Sequence, residues 1–322
     1  MLKELDVPNR ILMGPGPSDV HPDVLKAMAT PLLGHLDPKF LEIMNEIMEQ
    51  LRRLFGTTNR LTLPMSGTGS AGMETLFVNL MEPGDKVIIG VNGLFSQRMV
   101  DMAKRCGAEV LVVDAAWGEI IDYKDIEALL KKHGDVKFVA VVHAETSTGV
   151  LQPLEELAKV VHQAGALLLV DAVTSLGGVP VDVDKIGIDA CFSGTQKCIS
   201  APPGLAPVTF NQRAMDIVTQ RKTPIHSWYL DVSMIQGYWG QDRSYHHTAP
   251  INMNYAIREA LRRIENEGIE ATYDRHEKLG RALQYGLEQM GLELHVKPEY
   301  RLPQLTAVRI PEGVSDTAVR GQ

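Results

Sequence analysis

Apolar residues recur at Phe40, Ile43, Met44, Ile47, Met48, Leu51 and Leu54. Each has another three or four positions away, which predicts a helix over 38–55 with one buried face. Past residue 60 the pattern changes. Short continuous apolar runs alternate with helical periodicities: 61–65 and a helix over 70–81, then 86–91 and a helix around 95–106. The runs 109–113 and 137–143 lead to helices near 123–133 and 153–164, and the runs 166–172 and 188–194 follow. Runs without polar alternation belong to parallel strands covered on both faces. Their alternation with helices predicts a doubly wound α/β domain, whose ligands gather at the carboxyl ends of the strands.

Ala-Pro-Pro-Gly at 201–204 predicts an end to regular structure beyond it. Helices are expected over 252–268 and 270–290, and 292–296 and 305–310 read as strands of a second α/β unit. The chain therefore divides into an arm (1–20) with alternating Gly and Pro near its end, a large domain (21–265), and a smaller, incomplete α/β domain (266–322). There is no internal repeat and no low-complexity segment.

The 322 residues are 44% hydrophobic and 22% charged, a globular composition rather than a disordered one. A net charge of −8 lacks the basic footprint of a nucleic-acid surface. No apolar run approaches the roughly 20 residues of a membrane helix, and MLKELDVPNR at the start has no apolar signal core. The three cysteines, Cys106, Cys191 and Cys198, form no CxxC pair. A reducing, cytoplasmic setting is expected, with Cys198 a small packing residue.

Three unusual features fall at strand ends. Lys197 follows the 188–194 run through a polar turn, where partial desolvation would lower its pKa and make the amine nucleophilic. Taken alone, a lysine in a loop is an ordinary solvated charge. Asp171 ends the run 166–170, where a carboxylate is unfavourable unless paired; taken alone, it is equally a turn or helix cap. Ser66-Gly67-Thr68-Gly69-Ser70 lies between a strand and a helix, where free N–H groups bind phosphate. Gly67–Gly72 also spells G-x-G-x-x-G, but the next strand ends in Val91-Asn92 and not in the acid that would bind a ribose, so a single phosphate fits better than a dinucleotide. A lysine for an aldehyde, an acid for a ring nitrogen and an anion cradle are together what pyridoxal phosphate requires.

Five blocks in order, 66–85, 143–153, 167–178, 193–204 and 245–251, resemble the class V aminotransferases, specifically the alanine–glyoxylate and serine–pyruvate aminotransferases. The resemblance runs from GPGPS near the start to RLPQLTAVRIPEG near the end. It implies pyridoxal-phosphate fold type I, with a large domain of mainly parallel sheet covered by helices on both faces. It implies that Lys197 is the Schiff-base lysine and Asp171 the partner of the pyridinium nitrogen. Thr68, Gly69, Ser70 and Gln196 match phosphate-binding positions. Thr146 matches a hydroxyl near the phenolic oxygen, Phe95 the aromatic stacked on the ring, and Val173 the residue on the ring's other face. Read without the resemblance, Phe95 and Val173 are ordinary core residues.

Tyr245 and Thr248 match residues that reach the partner subunit's phosphate in a homodimer with shared sites. His246 and His247 lack the spacing of facial metal ligands, so no metal is expected. In the family the C-terminal domain continues beyond residue 322, and the arginine that binds the substrate carboxylate lies in that part; Arg309 and Arg320 do not match it. The implied activity is ping-pong amino transfer from alanine or serine to glyoxylate or pyruvate. The alternatives are a cofactor-binding protein without turnover, such as a hydrogenase-associated subunit, and a lyase or desulfurase.

Overall fold

The computed structural model describes residues 2–321. Its strands are β1 (Leu61–Ser66), β2 (Lys86–Val91), β3 (Glu109–Asp114), β4 (Val136–Val142), β5 (Ala144–Glu145), β6 (Val150–Leu151), β7 (Leu167–Asp171), β8 (Ala190–Phe192) and β9 (Leu205–Phe210). Seven of them form one sheet in the order β1-β9-β8-β7-β4-β2-β3, and β5 pairs with β6 as a separate ribbon. Within the sheet β3, β2, β4, β7 and β8 run parallel. Strand β9 is antiparallel to both β8 and β1, so β1 points the same way as the rest. The carboxyl ends of β1, β4, β7 and β8 therefore share one edge, as the alternating pattern predicts.

The apolar runs carry no polar alternation because both faces are covered. Val87, Ile89, Phe138, Ala140 and Leu169 pack in one layer, and Ile88, Val139, Val141, Leu168 and Val170 in the other. The predicted helix over 38–55 is helix Pro38–Phe55, opened by the Asp37 carboxylate accepting from Lys39 N at 2.8 Å. The expected helices at 252–268 and 270–290 are Ile251–Glu267 and Ile269–Gln289.

Two expectations are corrected. Regular structure resumes directly after Gly204, as β9. Its Pro207 faces Pro64 of β1, and both are tolerated for positional reasons. β1 is the sheet edge. The Pro207 carbonyl accepts from Ser193 N at 2.8 Å, so the side that lacks an N–H faces the chain just past the end of β8. The segments 292–296 and 305–310 are not strands. They meet at a single antiparallel bridge, Leu294–Val308, flanked by His295 N to Ala307 O at 2.9 Å and Arg309 N to Glu293 O at 2.8 Å. A two-stranded pair without a sheet to join is marginal, and Val308 and Ile310 are exposed.

Candidate active site

Asp171 closes β7, with Val142 of β4 on one side and Phe192 of β8 on the other. It is 2% exposed. Among the described residues its carboxylate has one hydrogen-bond donor, Val173 N at 2.8 Å. Burial pushes its pKa up to about 7, only partly opposed by the Val173 N–H, and the nearby Glu145 adds to the rise. Such a carboxyl is completed by a cationic donor.

Lys197 stands on the turn after β8. That turn is held by Thr195 Oγ1 donating to Pro202 O at 2.6 Å and by Ala201 N donating to Thr195 O at 3.0 Å. The N-terminal arm is pinned to it: Ser18 N donates to Gln196 O at 2.9 Å, and Ser18 Oγ to Lys197 O at 3.0 Å. Lys197 Nζ donates to the Pro15 carbonyl. The chain can pass this close because residue 16 is glycine; a Cβ there would lie 2.7 Å from Lys197 Nζ. Burial lowers the pKa of the half-buried amine. The amine opens onto a cleft of about 460 Å³ that Gln196, Thr146, Thr174 and Gln304 also line. Gln196 Oε1 is buried there without a hydrogen-bond partner.

The loop between β1 and helix Gly69–Leu80 comes against the same edge. A Cβ on Gly69 would lie 3.2 Å from Val173 Cγ2 and 3.8 Å from Gly194 Cα, so this loop, the residues after Asp171 and the lysine turn are contiguous. Thr68 caps the helix through its backbone alone, and its hydroxyl makes no cap bond. The N–H groups of Gly69 and Ser70 find no intrahelical partner, the usual state of a first turn and the feature that suits an anion.

Arg98 is a residue that the sequence pattern did not single out. Its Nη1 donates to Ser70 Oγ at 3.1 Å, and its guanidinium lies 5.0 Å from the centre of the Phe95 ring. The available signal was its position three residues after Phe95 on helix Leu94–Arg105, which puts both on one face. Glu145 was also missed. It is fully buried, and its carboxylate accepts from Ser147 Oγ at 2.6 Å and from Ser96 N at 3.2 Å, holding the start of the helix that carries Phe95. Thr146 pairs through its hydroxyl with Thr174. Tyr245 and Thr248 are not brought to this cleft. They are exposed just before helix Ile251–Glu267, their hydroxyls 3.5 Å apart.

These residues fit pyridoxal phosphate. The under-bonded Asp171 suits a pyridinium N–H, the desolvated Lys197 an aldehyde, and the first turn of helix Gly69–Leu80 with Arg98 beside it suits a phosphate. Among the described residues, no helix is long and apolar enough to cross a membrane.

The family described as aminotransferase class-V matches residues 14–319. The (S)-ureidoglycine–glyoxylate transaminase of Bacillus subtilis (strain 168) is 41% identical over 99% of this chain and 80% of its own length. The alanine–glyoxylate aminotransferase of Mus musculus is 42% identical over 97% of this chain and 76% of its own. Among solved structures, an alanine–glyoxylate aminotransferase from Nostoc sp. superposes with a TM-score of 0.97 at 49% identity, covering 99% of this chain and 84% of the other.

Proposed function

The chain belongs to the class V aminotransferase family, and on that premise we propose that it moves the amino group of alanine or serine to glyoxylate. The observation that carries the reading is that a half-buried amine, Lys197, and a buried, under-bonded acid, Asp171, stand at one edge of the sheet. Glyoxylate is preferred to pyruvate as acceptor because it appears in the names of both the bacterial and the mouse relative.

Pyridoxal phosphate is the cofactor, and when bound it withdraws electrons from the substrate's Cα. The chain's own residues do the rest. Lys197 Nζ, with its pKa lowered by burial, is the covalent anchor and the base that takes and returns a proton at Cα. Asp171 holds a proton on the ring nitrogen by supplying the negative charge beside it. Thr68, Gly69, Ser70 and Gln196 hold the phosphate, with Arg98 adding a cation at Ser70. Phe95 and Val173 would flank the cofactor ring, and Thr146 would supply a hydroxyl to its phenolic oxygen. Tyr245 and Thr248, exposed and away from their own subunit's cleft, reach the phosphate of the partner in a homodimer.

A desulfurase reading is disfavoured by Cys198. Its thiol faces the Thr174 carbonyl at 3.6 Å, and burial pushes its pKa up to about 12, which disfavours the thiolate a desulfurase needs. The test is a panel of amino donors, including alanine, serine and (S)-ureidoglycine, against glyoxylate and pyruvate. Glycine formed fastest from alanine or serine with glyoxylate is expected. A clear preference for (S)-ureidoglycine would overturn the choice of donor, and absence of transfer from every donor would overturn the activity.

A further inference from the structure

The loop after β1 and the segment that carries Tyr245 and Thr248 are joined by a chain of rings with no role in the reading above. Ser66 Oγ lies 2.9 Å from His247 Nε2. His247 Nδ1 lies 2.7 Å from His246 Nδ1, and His246 Nε2 lies 3.2 Å from the Trp228 carbonyl oxygen. The Trp228 ring stacks on His246 with centres 4.2 Å apart and planes 13° from parallel. Tyr229 and Tyr238 close over His247 at 4.9 and 6.1 Å.

The direction of this chain follows from its far end. A carbonyl only accepts, so His246 Nε2 carries a proton. In the state in which both rings are neutral, His246 Nδ1 is then an acceptor and His247 Nδ1 the donor to it. His247 Nε2 is left as an acceptor, and Ser66 gives it the hydroxyl proton. Burial, with His246 beside it, pushes His247 down to about 4, which keeps this ring neutral at neutral pH. Among the described residues the Ser66 hydroxyl has no other partner.

We propose that His246 and His247 are positioning residues of the cofactor site, whose one-way hydrogen-bond chain fixes the Ser66 hydroxyl and holds the 66–70 loop in register with the segment of Tyr245 and Thr248. The inference rests on the reading of that loop as the phosphate cradle. Ser66 is the last residue of β1, and Gly67 N is tied to Gly204 O at 2.9 Å, so the bond to His247 is the side-chain anchor at the entrance of the cradle. A cradle of backbone N–H groups works only when it is aimed in advance.

The test compares the dissociation constant of pyridoxal phosphate with that of pyridoxal, which lacks the phosphate, on the cofactor-stripped protein. His247→Phe and Ser66→Ala are expected to weaken pyridoxal phosphate about five- to tenfold, the worth of about one hydrogen bond, and to leave pyridoxal unchanged. His247→Gln, whose amide oxygen can accept near the position of Nε2, is expected to restore most of the loss. Wild-type affinity in both His247→Phe and Ser66→Ala would overturn the inference. So would equal losses for the two ligands, which mean packing alone. Where His247→Phe does not fold, Ser66→Ala decides. A Thr68→Ala/Ser70→Pro double variant, which removes both hydroxyls and one N–H of the first turn, where proline is tolerated, separates the premise: its loss of phosphate-dependent affinity beside an unaffected Ser66→Ala sinks the histidine chain alone, whereas an unaffected double variant sinks the cradle and the chain together.

Discussion

Asp171 and the lip above Lys197 form two sides of one cleft on different foundations. Asp171 is fixed by paired strands on both sides and is nearly sealed from solvent. The lip consists of residues 12–19 and 304–307, which have neither helix nor strand. Leu12 and Met13 are exposed there, and contact with the lysine turn is made through bonds from Ser18 and to the Pro15 carbonyl. A charge on the sheet edge is held in place before any ligand arrives, and burial tunes it. A lip tied by a few bonds opens at far lower free energy than the sheet. The difference puts the charge on the edge and leaves the lip to line the cleft above Lys197.

The two sides meet at Lys197. Lys197→Ala is expected to abolish the visible absorbance of covalently held cofactor and any borohydride-trapped adduct, while circular dichroism stays that of the wild type. Only a primary amine condenses with the aldehyde. A trapped lysine adduct in the variant, located by mass spectrometry, would move the anchor elsewhere. Asp171→Ala comes next. It is expected to keep the cofactor bound and to slow the half-reaction with the amino donor by about 10²–10³-fold, the usual worth of one preorganised electrostatic group. Near-normal single-turnover rates would take the electronic role away from the edge.

The edge was legible in the sequence and the lip was not, for a physical reason. Parallel strands with two covered faces leave an unbroken apolar run, so the residue that ends the run, Asp171, stands out. The run 86–91 and the helix over 123–133 match β2 and helix Tyr123–His133 at both ends. Lip residues obey no period. Gly14 to Ser18 and Gln304 to Ala307 gain their positions from contacts distant in sequence, such as Ser18 to Gln196 and Gln304 Nε2 to Thr174 O at 2.9 Å. β9 escaped for a related reason: Ala-Pro-Pro-Gly at 201–204 reads as the end of regular structure, and only the fold shows that Pro207 is tolerated because its side without an N–H faces the chain past the end of β8. Arg98 and Glu145 were hidden among ordinary charges, one on a helix and one on the short strand β5. Their roles come from Ser70 and the start of helix Leu94–Arg105, which only the fold brings near.

A third measurement sharpens the account of the edge without the cofactor. In the folded, cofactor-free protein the pKa of Asp171 is raised by burial from 3.8 to about 7. The folded state therefore binds a proton that the unfolded state has released between those values. Its stabilisation is present below the unfolded pKa and is lost as pH rises through about 7. Relative to Asp171→Asn, which cannot ionise, the cofactor-free wild type is expected to lose stability on the order of a few kcal/mol between about pH 4 and pH 8. Urea titrations of both forms across that range measure the difference. Parallel pH profiles would mean that Asp171 is already solvated or paired, and that burial does not tune it.

The smallest expected effect belongs to the outermost part of the molecule, the exposed hydroxyls of Tyr245 and Thr248. They lie 3.5 Å apart, and neither lines the cleft that holds Lys197 of its own chain. An exposed Tyr and Thr side by side are unremarkable on a surface, and only a second subunit gives them a ligand to reach. If they bond the partner's phosphate, a charged acceptor gains donors from both chains, and cofactor binding and association become one linked equilibrium. The Tyr245→Phe/Thr248→Val double variant removes both hydroxyls and keeps the shapes. Its dissociation constant for pyridoxal phosphate is expected to rise roughly tenfold, the low end for hydrogen bonds to a charged group. The same factor should vanish from the cofactor's effect on dimerisation, since linkage acts equally in both directions. Sedimentation of wild type and variant, with and without pyridoxal phosphate, measures both halves of that statement. A loaded wild type that sediments as a monomer ends the shared-site reading. A double variant with unchanged cofactor affinity leaves the phosphate to the sheet edge alone, and with it the whole of the anion site to one chain.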